Sequence, residues 1–344
     1  MRVGFVSLCS GGTMGHMTLT TQLASAIKSK TYILSDHDYE KFSNAKTVNT
    51  TYIRLSQQKH SFSIAGCIKY QYRDEIIHYA KEKKIGMLVF STMFDACLMR
   101  DLRREKIRTV LISYPLRDTH RKAFLLRKYH LLFNHILTLQ GIENVKRLFP
   151  NEQIVSPPIK FEDTKSKTSK IKKILITAGG GGRPSSNLFF GLMKNLVPAL
   201  VKKMPWLRFT IIKGNYEKNF SLPNTRIIGW SRSFQKLLKE YDLIISEAGY
   251  FTVLNILSTS KPSILIPGAR RIDNQELRAF LYDEAGCGIA ILPEESEQVY
   301  LRRLNTVLAN PQRFEDIYEN SQRAVRTIAK HVSVVDALLN IIDN

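Results

Sequence analysis

Two glycine-rich turns, Ser10-Gly11-Gly12-Thr13-Met14-Gly15-His16 and Ala178-Gly179-Gly180-Gly181-Gly182-Arg183-Pro184-Ser185-Ser186, each lie between a strand-like apolar run and a helix-like segment. Residues without side chains let backbone N–H groups approach phosphate oxygens, and the helix that follows adds unpaired N–H groups and the positive end of its dipole. Each turn reads as an anion cradle or as a tight strand-to-helix connection. Neither fits the G-x-G-x-x-G fingerprint well and neither ends in G-K-[ST], which argues against dehydrogenase and P-loop chemistry. His16 closes the first turn, and imidazole is the side chain suited to moving protons near neutral pH. Cys9, Cys67, Cys97 and Cys287 have no C-x-x-C spacing and no histidine at ligand spacing. They are expected to be reduced core thiols, with no disulfide framework and no metal site.

Alternating segments must position these turns. Val3–Leu8, Tyr32–Ser35, Thr51–Leu55, Met87–Phe90, Thr109–Ser113 and Ile136–Leu139 are short and rich in β-branched or aromatic residues, with room for crossover helices between them. That pattern predicts an α/β fold built on a parallel sheet covered on both faces. A lysine- and serine-rich stretch at 161–173 reads as a linker. The alternation then restarts with Ile174–Thr177, Phe209–Lys213, Arg226–Gly229, Leu243–Ser246, Ser263–Ile266 and Ile289–Leu292. Two Rossmann-like domains are expected, 1–160 and 174–330, with a helix at 331–344 crossing back to the first. Ligands of such sheets bind beyond the carboxyl ends of the strands, so the interdomain cleft is the expected active site.

The chain has 344 residues, 44% of them hydrophobic and 24% charged, enough for two cores and without a low-complexity window. No apolar stretch approaches the roughly 18 to 20 residues of a membrane span, and Met1–Leu8 runs directly from a strand into a glycine turn. A cytoplasmic protein is expected. The net charge of +21 predicts attraction to polyanions, whether nucleotide, nucleic acid or anionic bilayer. It is shared evenly, about +11 through residue 163 and about +10 after it, which argues against a basic nucleic-acid-binding tail. No zinc-finger or RRM signature supports nucleic acid as a partner.

The run Gly11–His16, the loop Ala178–Ser186, and the block from Asp242 through Ser246-Glu247-Ala248-Gly249-Tyr250-Phe251-Thr252 and Lys261–Pro267 to Asp273-Asn274-Gln275 resemble the family 28 glycosyltransferases. The resemblance covers nearly the whole chain in order, and its C-terminal block is the most specific part. It implies the GT-B fold and inverting, metal-independent transfer of a hexose or N-acetylhexosamine from a UDP-sugar. The UDP-sugar is then a substrate and no cofactor is required. The second domain would hold this donor and the first a small-molecule or lipid-linked acceptor.

The resemblance also implies residue roles. Without a metal, the charge of the leaving diphosphate must be met by backbone amides, helix dipoles and hydroxyls. Gly12, Gly179, Gly180, Gly181, Gly182, Ser185, Ala248, Gly249 and Thr252 are the expected diphosphate cradle. Trp230 and Ser231, after the Arg226–Gly229 strand, would meet the nucleoside. Asn255 stands where the family usually places a ribose-binding glutamate, which removes a charge-assisted bond. Asp273, Asn274, Gln275 and Glu276 would face the sugar hydroxyls, Glu276 standing where glutamine is common. His16 is the expected catalytic base. Asp95, in the loop after Met87–Phe90, would orient it or, alternatively, cap a helix.

Within residues 117–133, Leu125, Tyr129, Leu132, Phe133 and, just beyond, Ile136 recur at helical spacing, flanked by Arg121, Lys122, Arg127, Lys128 and His130. Two readings stand: an interfacial helix that docks an otherwise soluble enzyme on the anionic inner face of the membrane, or a core helix with a cationic outer side. Two other function classes stand beside glycosyl transfer. One is a UDP-sugar epimerase or hydrolase of the same fold, and the other a non-catalytic protein that binds nucleic acid through its positive surface.

Overall fold

The β-branched runs become the strands of two all-parallel sheets in the computed structural model. It describes residues 1–8, 15–36, 49–56, 61–62, 67–69, 72–161, 171–180, 184–214, 216, 219–231, 234–270, 272–292, 295–310 and 313–344. The chain divides into two units. One comprises Met1–Ser10, Met14–Pro158 and Ala329–Asn344, and the other Gly11–Thr13 and Ile159–Ile328.

The first unit contains β1 (Val3–Ser7), α1 (Gly15–Ala26), β2 (Thr31–Ser35), β3 (Thr50–Arg54), the short strands β4 (Ser61–Phe62) and β5 (Ile68–Lys69), α2 (Arg73–Glu82), β6 (Met87–Ser91), α3 (Ala96–Arg104), β7 (Arg108–Ser113), α4 (Asp118–Leu126), β8 (His135–Leu139) and β9 (Glu152–Val155). Its main sheet has the order β3-β2-β1-β6-β7-β8-β9. Every residue of β1, β2 and β6 is buried, as expected for strands covered by helices on both faces. Below the sheet, Phe90, Phe94, Phe124 and Phe133 pack largely edge to face in one aromatic cluster.

The second unit contains β10 (Lys173–Thr177), α5 (Pro184–Lys203), β11 (Arg208–Ile212), β12 (Thr225–Ile228), α6 (Phe234–Lys239), β13 (Leu243–Glu247), α7 (Tyr250–Thr259), β14 (Ser263–Ile266), α8 (Gln275–Glu284), β15 (Ile289–Ala290), α9 (Glu297–Ala309) and α10 (Arg313–Ile328). Its sheet runs β12-β11-β10-β13-β14-β15. In both units the order reverses beside the first strand, between β1 and β6 and between β10 and β13. That reversal is where an open parallel sheet leaves a crevice for ligands. The last helix, α11 (Val334–Asp343), is capped by Ser333 and returns to the first unit through the bridge Ser156↔Ser333.

Three features differ from the sequence reading. Strand β9 is not apparent from hydropathy because its inward residue is Glu152, whose carboxylate is paired with Arg121 and bonded to Thr138 Oγ1 at 2.6 Å. Residues 117–133 do not form one helix. α4 ends at Leu126, Lys128 adopts a left-handed conformation at φ 55°, and Tyr129–Leu132 make a separate 3-10 turn. The break lets Phe124 and Phe133 both reach the core, which a continuous helix would not allow, and it leaves Leu126 and Leu131 exposed. Finally, Cys97 is exposed on α3, whereas Cys67 and Cys287 are buried, and Cys9 lies outside the described residues. Burial pushes the Cys287 thiol up to about 11. No helix among the described residues is long and apolar enough to cross a membrane.

Candidate functional site

At the crevice of the second unit, β10 leads into a turn that Gly179 makes with φ +64°, its N–H donating to Thr177 Oγ1 at 3.1 Å. A Cβ on Gly179 would lie 3.2 Å from Thr252 Oγ1. On the neighbouring strand, β13 ends at Glu247, and Gly249 begins α7 without a side-chain cap. A Cβ on Gly249 would lie 3.7 Å from the same Thr252 Oγ1 and 3.9 Å from Gln275 Nε2. Gly179, Gly249, Thr252 and Gln275, from three separate segments, thus surround one small volume beyond the strand ends.

Several residues that the sequence reading passed over hold this arrangement. Gly214, after β11, has φ +56°, and a Cβ there would come within 2.5 Å of the Gly180 carbonyl oxygen. The glycine is therefore needed for the Gly179–Gly180 turn to sit where it does. Arg278 is almost fully buried: it donates to the Ala248 carbonyl at 2.8 Å and to Asp273 Oδ1 at 2.8 Å, with its guanidinium over the Tyr250 ring. Arg270 pairs with buried Glu247 at 2.7 Å. Ion pairing at these depths is the usual way to keep a buried charge. A glycine just past the β11 strand and an arginine on the same helix face as Ala279 and Tyr282 are the signals in the sequence that could have disclosed them.

The other expected donor residues are placed as follows. Gly12, Gly181 and Gly182 lie outside the described residues, as does the side chain of Ser185. Ser186, in the first turn of α5, is fully buried, and its Oγ has no hydrogen-bond partner among the described residues. Trp230 and Ser231 follow the edge strand β12 and are half-buried. The Asn255 amide donates to the Phe251 carbonyl at 2.7 Å, back along its own helix. Asn274 caps α8, the Gln275 side-chain carbonyl accepts from the Gly268 N–H at 2.9 Å, and Glu276 is exposed in the first turn of α8.

Electrostatics divide the helices. α2, α4, α8, α9 and α11 each carry an acidic residue in the first turn, which neutralises the positive end of the dipole. α1, α5 and α7, which follow the glycine-rich segments and β13, carry none, and neither do α6 and α3, the latter capped by the Asp95 carboxylate. The N-termini of α1, α5 and α7 stand at the two crevices, and an anion there meets no competing carboxylate from the first turn of the same helix.

At the crevice of the first unit, His16 sits in the first turn of α1, nine-tenths buried. Its Nδ1 lies 2.9 Å from Ser91 Oγ, at the end of β6, and 3.2 Å from Tyr114 Oη, just after β7. Asp95 caps α3, its Oδ1 accepting from the N–H groups of Cys97 at 2.7 Å and Leu98 at 3.0 Å. Ser91 and Tyr114 do not stand out in the sequence: neither belongs to a motif, and they are 75 and 98 residues away from His16.

Comparison with known proteins bears on the fold and on the C-terminal half of the chain. Residues 201–332 match the glycosyltransferase family 28 C-terminal domain. The chain is 28% identical over 215 residues to a UDP-N-acetylglucosamine–N-acetylmuramyl-(pentapeptide) pyrophosphoryl-undecaprenol N-acetylglucosamine transferase of Thermoanaerobacter sp. (strain X514). The match spans 56% of this chain and 58% of the length of that relative. A relative of the same description from Geobacter metallireducens is 23% identical over 220 residues. Among solved structures, the chain is similar to the spinosyn forosaminyltransferase SpnP, with a TM-score of 0.71, 14% identity and full coverage of both chains. It is similar also to Acinetobacter baumannii MurG, with a TM-score of 0.64, 13% identity, and coverage of 100% of this chain and 99% of that one. The fold is the GT-B arrangement of two Rossmann-like domains.

Proposed function

We propose that this chain, which carries the glycosyltransferase family 28 C-terminal domain over residues 201–332, is an inverting glycosyltransferase that moves a hexose or N-acetylhexosamine from a UDP-sugar to an acceptor hydroxyl. The observation that carries the reading is the convergence of Gly179, Gly249, Thr252 and Gln275 at the crevice of the second unit. Main-chain N–H groups of the two turns, the Thr252 hydroxyl and the uncompensated N-termini of α5 and α7 would take the charge that develops on the leaving diphosphate. Buried Ser186 offers a further hydroxyl at the same helix end. With that charge met by the protein, the reaction proceeds without a divalent metal. Gln275 Nε2 and exposed Glu276 would address the sugar hydroxyls, and Trp230, Ser231 and Asn255 the nucleoside.

The first unit would bind the acceptor and supply the base. His16 would take the proton of the acceptor hydroxyl as its oxygen attacks the anomeric carbon opposite the departing UDP, which inverts the configuration. The acceptor is a small molecule or a lipid-linked one. For the second case, the exposed Leu126 and Leu131, with Arg127 and Lys128 between them in the chain, would offer apolar and cationic groups to an anionic bilayer. A cavity of about 190 Å³ adjoins Leu131, lined in part by Arg103, Lys106 and Arg108, none of which has a carboxylate partner among the described residues.

Thermal-shift titration with UDP-, GDP-, dTDP- and CDP-sugars tests the donor, because a ligand that binds only the folded state raises the melting temperature. UDP-sugars should give the largest shift, and EDTA should leave both the shift and the turnover unchanged. UDP release that accelerates with acceptor separates transfer from hydrolysis or epimerisation. His16→Gln should lower turnover by about 10²-fold or more with UDP affinity retained. Equal turnover in variant and wild type would remove His16 from the mechanism.

A further inference from the structure

We propose that Ser91 and Tyr114 are positioning residues that hold the His16 ring by Nδ1 and keep the proton on that nitrogen, so that Nε2 is the atom that receives the acceptor's proton. This rests on the reading of His16 as the base and adds the groups that make it competent. Three polar atoms form a closed triangle: Nδ1 to Ser91 Oγ at 2.9 Å, Nδ1 to Tyr114 Oη at 3.2 Å, and Oγ to Oη at 3.4 Å. The two rings also touch, with centroids 5.1 Å apart at 41°. His16, Ser91 and Tyr114 come from α1, the end of β6 and the residue after β7. Strand β6 pairs with both β1 and β7, so the sheet itself sets their spacing. Immediately after Ser91 the chain turns through Thr92 at φ 62°, a left-handed conformation that is unfavourable for a β-branched residue. The Thr92 N–H donates to the Ile112 carbonyl at 2.8 Å, which ties the turn to β7.

The direction of the proton follows from the chemistry. Both partners are hydroxyls, each able to donate or accept. If they donated to Nδ1, the neutral ring would carry its hydrogen on Nε2, and Nε2 could take no proton. With hydrogen on Nδ1, donated to Ser91 Oγ and shared with Tyr114 Oη, the same bond serves before and after the transfer. In the step itself the acceptor O–H bond breaks and its proton goes to the Nε2 lone pair. The oxygen's electron pair forms the new bond to the anomeric carbon, and the old carbon–oxygen pair leaves with UDP. The imidazolium then returns the Nε2 proton to solvent. A hydroxyl orients the ring without adding a negative charge, so it fixes the tautomer while leaving the ring free to release the proton.

The test uses the full-length protein with its histidines labelled with ¹⁵N, and UDP release from UDP-N-acetylglucosamine with water as acceptor. In the wild type at alkaline pH the His16 resonances should report protonated Nδ1. In the double variant Ser91→Ala/Tyr114→Phe the population should move toward protonated Nε2. The kcat of UDP release should fall by about 10-fold or more, with the KM for the donor unchanged. Ser91→Thr, which keeps the hydroxyl, should restore most of the loss seen in Ser91→Ala. In a His16→Gln background the double substitution should cost nothing further, because the hydroxyls act only through the ring. An unchanged tautomer in the double variant, or a loss that persists in the His16→Gln background, would overturn the positioning role. Full turnover in His16→Gln alone would instead sink the base reading, so the two failures are distinguishable.

Discussion

Gly214 illustrates how a residue outside every motif can control a site. A Cβ on it would collide with the backbone of Gly180, and its φ of +56° already disfavours any L side chain. Gly214→Ala should cost about 1–2 kcal/mol of stability and displace the Gly179–Gly180 turn. UDP affinity is then expected to drop by about 10-fold, the equivalent of ~1.4 kcal/mol of lost binding. Gly191, exposed within α5 with nothing within 4 Å of its Cβ position, is the matched control. Gly191→Ala should stabilise by up to about 1 kcal/mol through helix propensity and leave binding alone. Titration calorimetry and chemical denaturation on both variants check the pair. If Gly214→Ala bound UDP as tightly as the wild type, the turn would have no part in holding the diphosphate.

Helix α3 shows how one side chain can serve an element. Its buried face is Leu98, Met99 and Leu102, its outer face carries Arg100, Arg103 and Arg104, and Asp95 satisfies two N–H groups of its first turn. Loss of such a cap costs about 1 kcal/mol, and serine replaces aspartate at this position with little penalty. Asp95→Ala should therefore lower stability by ~1 kcal/mol, and Asp95→Ser should retain both stability and turnover, as read by urea denaturation and UDP release. A stable but inactive Asp95→Ser would mean that the carboxylate charge also acts on His16. The break at Lys128 belongs to the same scale. By ending α4 and re-aiming the chain, it brings Phe133 to the same core as Phe124, and Leu126 and Leu131 stay exposed.

At the scale of the whole molecule, the charge of +21 gives any anionic surface a long-range attraction that salt screens. On the proposed membrane reading, the exposed Leu126 and Leu131 would add an apolar contribution that salt does not remove. The expected signature is co-sedimentation with phosphatidylglycerol vesicles that weakens from 50 to 500 mM salt and is absent with phosphatidylcholine vesicles. Leu126→Ser/Leu131→Ser should reduce binding at every salt concentration. Arg127→Gln/Lys128→Gln should flatten the salt dependence. Binding indifferent to both pairs of substitutions would place membrane contact elsewhere or rule it out.

The alternating β-branched and helix-like segments were enough to specify two parallel α/β units, because burial on both faces of a strand leaves a local mark in the chain. Val3–Leu8 and Leu243–Ser246 are legible for that reason, and β9, whose inward residue is a charged Glu152, is not. The glycine-rich runs, His16 and the C-terminal block likewise stand out in the sequence by residue type and spacing alone. What only the tertiary structure decided is which side chains meet. Strand order is a choice of hydrogen-bond partners made over distances at which local propensity says nothing. That choice sets Ser91 and Tyr114 against His16, Gly214 under Gly180, and Arg278 beneath Ala248.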